Sequence, residues 1–134
     1  MRRVVCIDYG LARLGIALSD EMQLIVSKSF IIKAEKKSAL TAQRVASELE
    51  KYNVDKILVG FPLHLSGKQG FLTDETKIFI EHLKAVVDCP VESIDERLST
   101  RQAERVLMEA KLNRKKRSQV IDALSATILL ESYL

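Results

Sequence analysis

The first apolar run, RVVCID at residues 3–8, shows no polar–apolar alternation. That predicts a strand covered on both faces. Gly10 and Gly15 bracket a turn into a second strand near residues 14–19. Beyond a turn at DEMQ (20–23), LIVSKSFII has the β-branched content of a third strand. Turns this short make the three strands an antiparallel meander.

The rhythm then changes to a helical one. Ser38 is a good helix N-cap, and Ala42, Val45, Ala46 and Leu49 follow at i, i+3, i+4 and i+7. DKILVG (55–60) predicts a fourth strand, and Gly60, Pro62, Gly67 and Gly70 make the next stretch a loop. Thr73 can cap a second helix with Phe79, Leu83 and Val86 facing inward. VESI (91–94) predicts a fifth strand, and Ser99 with Gln102 forms a capping box for a third helix. Residues 118–132 predict a last helix. The order is βββαβαβαα. Crossovers after a meander place the later strands parallel to the first, on its free side. The expected fold is α/β, a five-stranded mixed sheet of order 3-2-1-4-5 with helices on both faces. The carboxyl ends of strands 1, 4 and 5 then open on one edge, where sites in such sheets are built.

Composition narrows the class. A chain of 134 residues without repeat or linker predicts one domain, residues 1–134. Hydrophobic residues at 47% and charged residues at 29% describe a globular chain and exclude a disordered one. No apolar stretch approaches the roughly 18 residues of a membrane span. The start, MRRVV, runs into a strand without a signal-peptide core, so a cytoplasmic protein away from membranes is expected. Cys6 and Cys89 lack metal-site spacing and predict reduced thiols. A net charge of +3 does not by itself point to nucleic acid. KLNRKKRSQ (111–119) does more, with five of the 21 basic residues and no acid, although such a run also serves as a solvated loop.

The candidate chemistry lies in carboxylates. Asp8 ends strand 1, Asp95 and Glu96 follow strand 5, and Asp122 is expected in the first turn of the last helix. Each has an ordinary role open to it. Asp8 can serve the turn at Gly10, Glu96 can pair with Arg97, and Asp122 can answer the positive end of its helix. Together at one crevice they would repel unless a cation neutralised them. Mg²⁺ or Mn²⁺, hard ions that take oxygen ligands, suits such a set and the hydrolysis of a phosphodiester. Asp95 is expected to face away from Glu96, as neighbours in an extended chain do.

Four segments, IDYGLARLGIALSD, VGFPLHLSG, DERLSTRQAERVL and VIDALSATILLESYL, resemble the successive motifs of the YqgF family. The resemblance covers essentially the whole chain. It implies a ribonuclease H-like fold, similarity to Holliday junction resolvases, and a metal-dependent nuclease. The family's described roles are trimming of pre-16S rRNA, at its 5′ end in ribosome biogenesis, or resolution of branched DNA. Carried over by position, Asp8, Glu96 and Asp122 become the catalytic, metal-binding acids for Mg²⁺ or Mn²⁺. Arg13 and Arg97 become phosphate contacts, and the loop from Gly60 to Gly70 faces the substrate. The family loop usually reads Gly-Leu-Pro-Leu-Asn; here Phe61 and His64 stand in two of those places, and His64 can still donate a hydrogen bond to substrate. Leu11 and Ala12 replace residues that are often polar. Beside these acids, Lys115, Lys116 and Arg117, with Lys111 and Arg114, are expected to meet the nucleic-acid backbone.

Two rival classes share the pattern. Actin-like ATPases and sugar kinases begin with a similar Asp-Gly hairpin, but need two copies of the fold to enclose a nucleotide. A non-catalytic RNA-binding module could keep the same fold without its chemistry. Either a monomer or a weak homodimer is compatible with the sequence; a dimer would favour paired cuts in a DNA junction, and a monomer RNA trimming.

Overall fold

The structure, a computed structural model, describes residues 2–61, 71–95 and 114–134, with backbone only at 61, 71–73, 95 and 114–123. Its elements are β1 (Arg3–Asp8), β2 (Arg13–Ser19), β3 (Val26–Lys33), α1 (Ser38–Leu49), β4 (Val54–Phe61), α2 (Phe71–Val86), β5 (Val91–Asp95) and α3 (Arg114–Tyr133). The strands form one sheet in the order β3-β2-β1-β4-β5. β1 and β2 pair antiparallel, as do β2 and β3, while β4 is parallel to both β1 and β5. This is the order read from the sequence. The capping box at Ser99 and Gln102 and its helix lie outside the described residues.

Alternation along the strands sorts side chains into two cores. Val5, Ile7, Leu14, Ile16, Leu18, Ile57 and Val59 pack under α1 and α2, against Ala42, Val45, Leu49, Phe79, Ile80 and Leu83. On the other face, Val4, Cys6, Ala17 and Leu58 meet Ala126, Leu129 and Leu130 of α3. β1 is therefore covered on both sides, as its unbroken apolar run requires. Neither cysteine forms a disulfide; Cys6 is buried and Cys89 partly so.

Several helix details depart from the expectation. Ser38 is the first helical residue, not the cap; Lys37 occupies the cap position and makes no side-chain capping bond. Buried Thr41 fastens the entry instead, its hydroxyl accepting the Glu35 N–H at 2.9 Å. α2 starts at Phe71, two residues before Thr73. Its buried stripe runs through Thr76, Phe79, Ile80 and Leu83, and Val87 continues it past the helix end. Val86, expected to face inward, is 41% exposed. His82 is half-buried. α3 starts at Arg114 rather than 118, so the second half of the basic segment is helical and Asp122 lies two turns in, not in the first. Lysine and arginine have high helix propensity, which favours the early start.

Candidate active site

Asp8 closes β1 and is half-buried. Its register partners are Gly15 on β2 and Gly60 on β4, and Gly60 in turn pairs with Ile94 on β5. Register partners share a face, so Gly15, Asp8, Gly60 and Ile94 form one row across four strands. Ile94 packs with the cluster under α3, which assigns the row to the α3 face. The parity of Val4 and Cys6 on β1 places Asp8 on the same face. Asp8 thus faces glycine at its register position on both neighbouring strands. The carboxylate stands in a gap made by two glycines.

Gly10 shapes the approach to this gap. A Cβ on Gly10 would lie 2.5 Å from the Arg13 carbonyl oxygen, so the turn closes only with glycine there. Arg13 opens β2 two residues before Gly15 and shares its parity with Gly15 and Ala17, hence the face of Asp8. Diagonal neighbours of this kind lie roughly 7–8 Å apart at Cα, within reach of a long side chain.

Tyr9, which no motif of the sequence singles out, secures the opposite side. It is 7% exposed and stacks on Phe79 of α2 with centroids 4.5 Å apart. Burial, and then the nearby Glu75 charge, push its phenol above the ordinary value. The apolar run continuing past Asp8 into a tyrosine of core parity was the available signal.

Asp95 ends β5 opposite Phe61, one register step beyond Ile94 and on the alternate parity. Asp122 occupies the position one turn before Ala126, a contact of α3 with the sheet. Lys115, Lys116 and Arg117 stand in the first turn of α3. Glu96, Arg97, His64 and Lys111 lie outside the described residues. Among the described residues no three His, Cys, Asp or Glu gather as metal ligands. The donor set expected here nevertheless fits a hard divalent cation, because its described member, Asp8, is a carboxylate at the strand end with glycine at both register positions beside it. Among the described residues no helix is long and apolar enough to cross a membrane.

Sheet order and helix placement define a ribonuclease H-like fold. The chain superposes on RuvC of Thermus thermophilus in complex with a Holliday junction substrate, with a TM-score of 0.56 at 15% identity, over 96% of this chain and 92% of that one. The family model RuvX, described as Holliday junction resolvase, matches residues 2–134, and the chain belongs to this family. A relative from Protochlamydia amoebophila is 43% identical over 98% of this chain and 92% of its own length. One from Natranaerobius thermophilus is 40% identical over 98% and 93%. Both carry the name "Putative pre-16S rRNA nuclease".

Proposed function

We propose that this chain is a nuclease that cleaves phosphodiester bonds with Mg²⁺ or Mn²⁺ and acts on precursor 16S rRNA. The observation that carries the reading is the position of Asp8 between Gly15 and Gly60, at the carboxyl edge of three parallel strands. Asp8, Glu96 and Asp122 would hold the ion. Bound there, it supplies an activated water and charge stabilisation for the leaving oxygen. The helix position of Asp122 supports its membership. It lies about 17 Å back along α3 from Tyr133, by the rise per residue. The Tyr133 hydroxyl accepts from Lys56 Nζ at 3.1 Å, and Lys56 is in register with Val4. Asp8 lies roughly 13 Å up β1 from that register position. The two separations agree to within a helical turn when the helix axis follows the strands.

Arg13, with Arg97 and His64, would orient backbone phosphates beside Asp8. Lys115, Lys116 and Arg117 place positive charge at the start of α3, where the helix dipole disfavours it, and that start has no acidic residue. A phosphate backbone passing there would offset the conflict. The names of the relatives favour RNA. The family description favours a second reading, resolution of branched DNA, which requires a dimer for paired cuts.

The deciding experiment compares a transcript spanning the 16S 5′ end with a four-way DNA junction, with Mg²⁺ and with chelator, alongside solution mass. The proposal expects RNA cleavage that needs the ion and a monomeric mass. Paired cuts of the junction by a dimer would establish the second reading. No cleavage of either with Mg²⁺ or Mn²⁺ would overturn the nuclease assignment.

A further inference from the structure

At the amino edge of the sheet three cations, from β1, β3 and the turn after α1, gather on one aromatic ring. The Arg3 guanidinium lies 5.9 Å from the Tyr52 centroid, Lys28 Nζ 5.6 Å and Lys51 Nζ 5.7 Å. Lys28 also donates to the Tyr52 hydroxyl at 2.9 Å and stands 5.7 Å from the Phe30 centroid. Arg3 is held in place by the Ser19 carbonyl at 2.8 Å and the Ser27 hydroxyl at 3.0 Å, neither of which carries charge. Among the described residues the carboxylate in ion-pair range of the three is Glu48, 3.8 Å from Lys51, with both side chains about half exposed or more. The Lys28 hydrogen bond lowers the Tyr52 phenol from its ordinary value; burial opposes it, and the charges of Lys28, Lys51 and Arg3 lower it further. Like charges held this close are disfavoured, and the ring's negative face offsets only part of the repulsion. An anion would complete the cluster.

We propose that Arg3, Lys28 and Lys51 around Tyr52 form a second phosphate-binding patch for the RNA backbone, at the edge of the sheet opposite Asp8; this rests on the nuclease reading above. β3 supplies the track between the two edges. It is an edge strand, VSKSFIIK, with Lys28 near one end, Lys33 at the other and no acidic residue between. Lys28, in register with Leu18, belongs to the α1 and α2 face, and Lys33, in register with Arg13, to the face of Asp8, so a backbone joining the two passes around the outer edge of β3. Five residues of strand separate Arg3 from Asp8, roughly 17 Å. A duplex places one phosphate per strand each ~3.4 Å of axis, so a path around the edge of the sheet puts the patch more than about five steps from the site of cleavage. The patch therefore grips structured RNA away from the scissile bond and adds affinity without touching the chemistry.

The test is a salt titration of binding to a labelled, folded precursor-rRNA transcript, using Lys28→Gln/Lys51→Gln and Lys28→Arg/Lys51→Arg double variants. With two lysine charges removed from the phosphate backbone, the log–log salt slope of the Gln variant falls by about 1.4–1.8, while its turnover at saturating RNA stays at the wild-type level. The Arg variant keeps the wild-type slope, which a merely structural role for the lysines would not require. Equal slopes for the wild type and the Gln variant, with the wild type still binding and cleaving, would overturn the patch and leave the nuclease reading intact. A wild type that neither binds nor cleaves the transcript would overturn both.

Discussion

The two edges of the sheet are built by opposite means. At the carboxyl edge, side chains are withheld: Asp8 has glycine on both register neighbours, and Gly10 keeps the turn below it tight. At the amino edge, side chains are crowded: Arg3, Lys28 and Lys51 pack around Tyr52, and Lys28 also lies over Phe30. The adjoining β2–β3 turn is held by Asp20, whose Oδ1 accepts the N–H of Leu24 at 2.7 Å and of Ile25 at 3.1 Å. Gln23 in that turn adopts φ 58°, the left-handed region, and its amide donates to the Arg2 carbonyl at 3.0 Å. On the nuclease reading, the space around this carboxylate would take a cation and a substrate. A packed cluster of cations can only grip. The same sheet thus separates room for chemistry from charge for holding.

The contrast can be broken at three points. The largest effect is expected from Phe79→Ala, which removes a fully buried ring and the partner on which Tyr9 stacks. Denaturant unfolding should show a loss of about 3–5 kcal/mol. Hydrogen exchange should report loosening at Tyr9 and Gly10 before the Tyr52 cluster; equal loosening at both edges would erase the contrast. Gly10→Ala comes next. The added methyl meets a backbone oxygen that cannot move cheaply, so a loss of about 1–3 kcal/mol is expected. Turnover should drop by as much as ~100-fold, because the turn that sets Arg13 against Asp8 must shift. Wild-type turnover in this variant would show that the turn does not position the site.

The smallest effect belongs to Asp20→Asn. The N–H groups of Ile25 and Leu24 hold the Asp20 carboxyl below its ordinary value of 3.8. A carboxylate with a lowered folded value stabilises the fold above its unfolded value, and that contribution disappears as pH falls through the folded value. The Asn variant should therefore melt slightly below wild type at neutral pH, and the gap should close in acid below 3.8. Cleavage at saturating substrate should not change. A melting gap that persists unchanged in acid would show that the carboxylate's charge is not what holds the turn.

The sequence carried the sheet well. The unbroken apolar run of β1, the glycines around β2 and the crossover rule together lead to the observed order. Helix starts were less legible. Thr41, not Ser38, ties the chain at the start of α1, because a buried hydroxyl reaching back to the Glu35 N–H gains a protected hydrogen bond. Four cations at a helix start contradict the dipole rule, so the spacing argued for a loop where α3 already begins. At the candidate site, a carboxylate ending a buried strand was visible as such. Its glycine neighbours were not, because Gly15 and Gly60 meet Asp8 only through the register of two different strand pairs. Glu96 is legible only through the family resemblance and lies outside the described residues.

The central claim rests on Asp8. The most direct measurement is single-turnover cleavage of the precursor transcript by wild type and Asp8→Asn, each with Mg²⁺ and each checked for an unchanged melting curve. The account predicts cleavage by wild type and a loss of at least ~100-fold in the variant, with binding of the RNA retained. A folded Asp8→Asn protein that cleaves at the wild-type rate would contradict it.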